Sequence, residues 1–329
     1  MLILNADDVR KALPMAQAIE AMKSAYASLS DGKAVVPLRT RLPVPPHEGL
    51  VLFMPAYVQA ETDEALAVKI VSLFPGNPGR GLAFIQASVL VLEADSGRAL
   101  ALLEGSSLTA IRTGAGSGAA IDLLARHDSH TMIVFGAGAQ ARTQVEAACT
   151  VREIERVWVY DANIEQARKF AAEMSGRGPI PHDVQVATDP ATPLALSDII
   201  CTATTSSTPV FADHGLKTGA HISAIGSYTP EMQEVPAETV ARSRVVVDSV
   251  SATLAETGDL VKPIQAGLIT EKHIYAELGE IVLGRKAGRQ SEKEITYFKS
   301  VGVAVQDAMA AQLALKNAKA MGLGQNVDF

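Results

Sequence analysis

The chain has 329 residues, 48% of them hydrophobic and 20% charged, with a formal net charge of −7. That composition describes a folded globular protein, and the length exceeds the roughly 250 to 300 residues at which a single core stops growing, so two domains are expected. The acidic balance argues against a nucleic-acid or anionic-membrane partner, and the apolar runs are too short to span a bilayer, the longest, Ala87 to Leu92, ending at Glu93.

In chain order, Asn5 to Leu13 and Pro14 to Ser30 read as helices, the second with Ala18, Met22, Ala25 and Leu29 on one face and Gly32 as its stop. Val36 to Val44 alternates between prolines and predicts a strand that carries Arg39 and Arg41 on one face. Leu50 to Met54, Ala65 to Phe74 and Phe84 to Glu93 are strand-like. The turn Asp95-Ser96-Gly97-Arg98 joins the last of them to Ala99–Leu103 as a hairpin. This largely antiparallel region ends in a small-residue helix, Ser106 to Leu124.

From His130 strands and helices alternate. Strands are expected at 131–135, 156–160, 184–187, 199–203, 222–225 and 245–248, with helices at 140–150, 164–174, 192–197 and 237–243 between them. Such alternation predicts a parallel, doubly wound sheet. Residues 278–289 read as a loop-rich stretch, and 295–301 as a last strand. The closing helix, Val303 to Met321, has an Ala/Met/Leu pattern suited to packing on another helix, so it is expected to return to the first domain. The expected division is therefore 1–125 with 303–329, and 126–302.

Thr131 to Ala141 reads T-M-I-V-F-G-A-G-A-Q-A. A strand runs into a G-x-G-x-x-A turn that opens a helix, the order a dinucleotide site requires. Gly136 turns the chain off the strand, Gly138 lets the backbone approach a pyrophosphate, and Ala139, Gln140 and Ala141 begin a helix whose N-terminal N–H groups face that phosphate. The next strand ends in Asp161, 25 positions after Gly136, where an acidic residue binds an adenosine ribose.

Three cations stand out against apolar or small neighbours. Lys69 is the only charge in A-L-A-V-K-I-V, Arg112 lies among small residues in L-T-A-I-R-T-G-A-G, and Arg39 and Arg41 share a strand face. Taken singly, each reads equally as a surface charge. Taken together they suit a small substrate with a carboxylate, which arginine grips with two N–H groups, while a partly buried lysine exchanges a proton. Cys149 and Cys201 form no C-x-x-C pair and read as small buried residues of a reducing compartment. No histidine has metal-ligand spacing, and His221 reads as a structural polar residue. The N-terminus lacks a basic segment followed by an apolar one, so a cytoplasmic protein is expected.

The stretches V-V-P-L-R-T-R-L-P-V at Val35, L-A-V-K-I-V at Leu66, S-L-T-A-I-R-T-G-A at Ser107, V-F-G-A-G-A-Q-A at Val134, T-A-T-T-S-S-T-P-V at Thr202, I-G-S-Y-T-P-E-M-Q-E-V at Ile225, E-L-G-E-I-V-L-G-R-K-A-G-R at Glu277 and F-K-S-V-G-V-A-V-Q-D at Phe298 occur in this order. Together they resemble the ornithine cyclodeaminase and mu-crystallin family. The resemblance implies an α/β fold: a Rossmann dinucleotide-binding domain plus a discontinuous α+β domain for substrate binding and homodimer contact. It also implies that Arg39, Lys69 and Arg112 are the substrate-carboxylate and catalytic positions. Thr113, Thr202, Ala203, Thr204, Ser227, Val301 and Gly302 are further expected cofactor contacts.

One departure narrows the activity. Cyclodeaminases of the family carry an aspartate shortly after the Ile-Gly pair, and this chain has Ser227-Tyr228-Thr229-Pro230. A phenol that titrates near 10 does not replace a carboxylate. The resemblance then points to reductases of cyclic ketimines, giving L-proline from Δ1-pyrroline-2-carboxylate and L-pipecolate from Δ1-piperideine-2-carboxylate. Asp161, followed by Ala162 rather than an arginine, favours NADH, with NADPH as the alternative. An ornithine cyclodeaminase or alanine dehydrogenase on the same fold, and a non-catalytic nucleotide-dependent binding protein, are the competing expectations.

Overall fold

The computed structural model describes residues 1–60 and 64–328. Its contacts divide the chain into two compact units, residues 1–112 with 303 onward, and residues 113–302.

The first unit opens with β1 (Leu2–Leu4), α1 (Ala6–Ala12) and α2 (Met15–Ser30). The Asn5 side chain accepts from the N–H groups of Asp7 and Asp8, and Asp8 reaches back to the Asn5 N–H; this reciprocal cap starts α1 where the acidic residues stand. Then come β2 (Ala34–Val35), β3 (Thr40–Val44), β4 (Gly49–Gln59), β5 (Glu64–Leu73), β6 (Ile85–Leu92) and β7 (Ala99–Glu104). β4 continues well past Met54, the end expected from sequence, because Ala56 and Val58 keep one face buried through Pro55. The meander β4-β5-β6-β7 is antiparallel, whereas β1 adds to β7 in parallel. α3 (Gly105–Leu124) follows, and the division between units falls inside it, at Arg112/Thr113, thirteen residues before the expected boundary at 125.

The second unit is a parallel sheet. Its elements are β8 (Thr131–Phe135), α4 (Ala139–Val151), β9 (Arg156–Tyr160), α5 (Ile164–Met174), β10 (Val184–Val186), α6 (Ala191–Leu196), β11 (Ile199–Thr202), β12 (His221–Ala224), α7 (Ala237–Arg242), β13 (Arg244–Val247), α8 (Val250–Glu256), α9 (Gly258–Gln265), β14 (Ile274–Glu277), α10 (Leu278–Val282) and β15 (Thr296–Lys299). The strand order is β10-β9-β8-β11-β12-β15-β13-β14. Both faces are covered. Met132, Val134, Val157, Val159 and Cys201 pack with Val145 and Phe170 on one side, while Ile133, Phe135, Trp158, Ile200 and Ile222 pack with Val240 and Leu260 on the other. Cys149 and Cys201 both lie in the first of these layers, and burial pushes each thiol up to about 12.

One reading of the 244–301 region is corrected. Residues 278–282 form α10 despite Gly279, its cap pairing Glu277 and Glu280 reciprocally, where a loop was expected; the cations that suggested the loop begin only at Arg285. The last strand, at 296–299, inserts between β12 and β13, with β14 outermost. The chain then returns to the first unit as α11 (Ala304–Met321), which packs on α1, α2, β4 and β5, and ends in β16 (Gln325–Asn326), paired with β1.

Candidate functional site

In the second unit the chain leaves β8 toward β9 on one side and later returns through β11 on the other. At such a reversal of strand order the loops diverge and leave a crevice beyond the carboxyl ends of the strands. A cleft of about 500 Å³ lies there, lined by Phe135, Gly136, Ala137, Gly138, Tyr160, Asp161, Ala162, Ala203, Thr204, Thr205, Ser206 and Val210. Gly136 has φ +97°, and a Cβ on it would lie 2.6 Å from the Ala203 carbonyl oxygen, so both its conformation and its neighbour demand glycine. Gly138 caps α4, and a Cβ there would meet nothing within 4 Å. The bare backbone at its N-terminus, with no side-chain cap, leaves N–H donors for a pyrophosphate. These features fit a dinucleotide.

The other residues of the turn divide. Ala139 is exposed and Gln140 half-buried, whereas Ala141 is fully buried in the helix–sheet layer, the close-packing role of the third fingerprint position. Asp161 accepts from the Ala137 N–H at 2.8 Å through one oxygen and from the Asn163 N–H at 2.8 Å through the other, tying the end of β9 to the glycine turn. Its remaining lone pairs stay available for ribose hydroxyls. Sequence inspection missed Arg142. Its guanidinium donates to the Ala137 and Gly138 carbonyls at 2.8 and 2.9 Å, pairs with Glu173 at 2.6 Å and lies over the Phe170 ring, holding the turn from behind.

Two buried carboxylates, also missed, organise the loops that follow β11, β12 and β15. Glu234 accepts from the Thr202 hydroxyl (2.9 Å), from the Thr204 N–H and hydroxyl (2.6 and 2.8 Å), and from the N–H groups of Gly226 and Ser227 (2.7 and 3.1 Å). Asp248 accepts from the Ser300 hydroxyl and from the N–H groups of Ser249, Val301 and Gly302 at 2.7 to 3.0 Å. Burial pushes both carboxyls up, against these donors. Of the expected contacts, Ala203 and Thr204 line the cleft, but the Thr202 and Ser227 side chains are fully buried and turned inward, Ser227 to Thr257 and the Met232 carbonyl. Thr113 accepts from Gln144 through its carbonyl. Beneath the Glu234 loop, Asp259 takes the N–H groups of Glu234 and Val235 and pairs at 3.2 Å with Lys299, itself wholly buried.

In the first unit the cations of the apolar stretches meet. Lys69 points to the same sheet face as Met54 and Val89, its cross-strand neighbours, and is only 3% exposed, so the surface reading of this lysine does not hold. Its ammonium lies 2.7 Å from one oxygen of Asp307 on α11, and the other oxygen accepts from Arg112 Nε at 2.9 Å. Arg112 also donates to Gln306, whose amide in turn donates to the Tyr26 hydroxyl at 2.8 Å. Burial draws the Lys69 ammonium down to about 8; Asp307 opposes that, and Arg112 and Arg39 add to it. Burial also resists ionisation of Asp307, but Arg112 and then Lys69 outweigh it and hold the carboxyl below the usual range. The anion is flanked by two cations, whereas the lysine faces one anion and two cations. The strand expected at 36–44 begins only at Thr40, so Arg39 lies before β3 and Arg41 on it; Arg39 is the one whose charge reaches Lys69, and Arg41 is exposed. Asp307 sits in the F-K-S-V-G-V-A-V-Q-D stretch, but nothing in the spacing from Lys69 to Asp307 announces that they pair.

A model of the ornithine cyclodeaminase/mu-crystallin family matches residues 1–322. The chain belongs to that family. Within it, a Δ1-pyrroline-2-carboxylate reductase of Bacillus cereus is 41% identical over 330 residues, covering all of both chains. Among solved structures, that of the Thermococcus litoralis Δ1-pyrroline-2-carboxylate reductase in complex with NADH and L-proline superposes with a TM-score of 0.93 at 45% identity, over 99% of this chain and 100% of that one. An archaeal alanine dehydrogenase dimer with bound NAD has a TM-score of 0.91 at 31% identity, over 100% and 99%. Tyr228, which follows the Ile-Gly pair, is 37% exposed, and the partial burial of its ring raises its phenol further from any carboxylate-like behaviour. His221 is fully buried between Thr296 and Ser223, which hold its two ring nitrogens, and burial keeps it neutral.

Proposed function

We propose that this chain is an NADH-dependent reductase of cyclic ketimine carboxylates, converting Δ1-pyrroline-2-carboxylate to L-proline and Δ1-piperideine-2-carboxylate to L-pipecolate. The observation that carries this reading is the charge count around Asp307. Two buried cations, Lys69 and Arg112, share one carboxylate, and Arg39 adds to their field. A net positive charge out of water calls for a further anion, and the carboxylate of a small substrate supplies it. The names of the Bacillus cereus and Thermococcus litoralis relatives specify the imino acid, and Tyr228 in place of an aspartate argues against ornithine cyclisation.

In this mechanism Arg39 and Arg112 hold the carboxylate and so fix the ring, while Lys69 delivers a proton toward the imine nitrogen. A bound dihydronicotinamide supplies the hydride for C2. Gly136, Gly138 and Asp161 hold the pyrophosphate and adenosine ribose. Ala203, Thr204, Val301 and Gly302 border the rest of the cofactor on loops set by Glu234 and Asp248. NADH is preferred over NADPH because Asp161 repels a 2′-phosphate, and among the described residues lining the cleft none is a cation to receive one. The protein acts as a homodimer in the cytoplasm; the dimeric alanine dehydrogenase relative supports the first, and the two free, buried thiols of Cys149 and Cys201 accord with the second. Among the described residues no helix is long and apolar enough to cross a membrane.

The deciding experiment is a panel of cyclic ketimines, ornithine and alanine, assayed with NADH, NADPH and NAD by nicotinamide absorbance and by ammonia release. Consumption of NADH with the ketimines alone is expected. Lys69→Ala and Arg112→Ala should each lower kcat/KM by at least about 100-fold, the scale of a lost proton donor or carboxylate clamp. Unchanged ketimine reduction in both variants would remove these residues from the active site. Turnover of ornithine with ammonia release would replace the reductase assignment.

A further inference from the structure

Asp307 offers no group to the chemistry proposed above, yet among the described residues whose charges act most strongly on Lys69 it is the anion. α11 brings Asp307, α3 brings Arg112 and the segment before β3 brings Arg39; the strand neighbours Met54 and Val89 bring no charge. The carboxylate is about 1% exposed. Its orientation is fixed from two sides: Arg112 spans Asp307 and Gln306, and Gln306 is itself held by the Val303 N–H at 3.0 Å and by Tyr26. A buried ammonium in this surrounding would otherwise face only other cations and shed its proton.

We propose that Asp307 is a positioning residue of the reduction: its carboxylate keeps Lys69 protonated and aimed, so that the lysine can give its proton to the imine nitrogen of the bound substrate. The inference rests on the ketimine-reductase reading. In the step it serves, a Lys69 N–H bond breaks and the proton joins the lone pair of the ring nitrogen, giving an iminium. The hydride of NADH adds to C2, the C=N π pair becomes the nitrogen lone pair, the imine is reduced to the amine and NADH is oxidised to NAD⁺. Water then returns a proton to Lys69. The burden on Asp307 is thermodynamic. Burial, with Arg112 and Arg39 adding to it, leaves the Lys69 ammonium at about 8 even with Asp307 opposing them, so removal of the anion lowers its hold on the proton into the neutral range.

The sign follows from the acid role. The protonated lysine is the active form, so activity holds below its pKa and falls as pH rises through it. The test is kcat/KM for Δ1-pyrroline-2-carboxylate against pH in wild type, Asp307→Asn and Asp307→Glu, with NADH affinity measured in parallel by fluorescence titration to report on the cofactor-binding unit. Asp307→Asn should move the alkaline limb down by at least about one pH unit, giving a loss of roughly threefold or more at pH 7.5 that largely recovers near pH 6, with NADH affinity unchanged. Asp307→Glu, which keeps the charge, should keep the limb near its wild-type position even where the rate falls. Should the Asn variant fail to fold, Asp307→Ser removes the same charge and leaves room for water, with the same expected shift. A loss that is uniform across pH in the neutral variants, or a limb that moves as far in Asp307→Glu as in Asp307→Asn, overturns the inference. Wild type without ketimine turnover at any pH overturns the function on which it rests, an outcome separate from either.

Discussion

At Glu234 five donors converge on two oxygens, and three of them are backbone N–H groups that cannot reverse their polarity. A glutamine of the same shape must present its NH₂ to one side of that ring of donors. On the Oε1 side it meets the Thr204 N–H, and on the Oε2 side those of Gly226 and Ser227, so neither rotamer escapes a donor facing a donor. An unmade hydrogen bond at a buried site costs about 1–3 kcal/mol. Because Thr204 lines the cleft, part of that cost should appear as cofactor affinity: Glu234→Gln is expected to bind NADH roughly tenfold more weakly, with a lowered Tm, while the KM for the ketimine changes less. Fluorescence titration and thermal melts check both, and an unchanged NADH affinity would make Glu234 a support of the fold alone. Asp307 is a different kind of buried carboxylate. Its partners are two side-chain cations rather than the backbone N–H groups of separate loops, so its loss is expected to show in proton affinity before it shows in the shape of a loop.

The turn between β8 and α4 separates two uses of glycine. Gly136→Ala demands an alanine at φ +97° with its methyl group against the Ala203 carbonyl, which destabilises the apoprotein and displaces the loop after β11. Gly138 has φ −80° and open space around it, so Gly138→Ala should fold with a Tm within a few degrees of wild type, since exchange at a helix cap costs at most about 1 kcal/mol. Its methyl group stands where a pyrophosphate approaches, and NADH affinity should fall by at least about tenfold. A Gly138→Ala protein that binds NADH like wild type would show that the backbone here is not the phosphate cradle. These two glycines were legible in the sequence because strand, turn and helix are contiguous, and the parallel strands were legible because burial on both faces makes them short apolar runs. Lys69 and Arg112 stood out by contrast with apolar neighbours. What the sequence hid were long-range acceptors. Asp307 meets residues 195 and more positions away, and Glu234 and Asp248 gather N–H groups from separate loops, contacts with no local periodicity. The insertion of β15 between β12 and β13 was hidden for the same reason, since strand order in a parallel sheet is set by crossovers rather than by any one strand.

On the scale of the molecule, the sheet of the first unit has one face packed against α2 and α11 and another that carries exposed apolar side chains. Cross-strand register puts Leu42, Val51, Phe53 and Ile70 on that second face, opposite to Lys69 and Met54, and Leu42 and Ile70 are 52% and 40% exposed. Val35, Leu38, Leu82, Phe84 and Ile85 are exposed on the same unit. Exposed apolar side chains gathered on one sheet face in this way are uncommon on a monomer, and a second copy of the chain is the cover that the homodimer reading requires. Leu42→Asp would place an unpaired carboxylate in such a contact, at a cost of about 3 kcal/mol or more, and so weaken the dimer by at least about 100-fold. Leu196→Asp is the matched control: it is 50% exposed but lies at the end of α6 in the second unit. Sedimentation equilibrium should give twice the 34.6 kDa chain mass for wild type and for Leu196→Asp, and a concentration-dependent fall toward the single-chain mass for Leu42→Asp. Because Arg39 leads into the edge strand that carries Leu42, the dissociated protein should also lose ketimine turnover more than it loses NADH binding, the first unit being the one left uncovered. A Leu42→Asp protein that remains dimeric would move the contact elsewhere on the chain, and a monomeric wild type would leave the apolar face to a different partner.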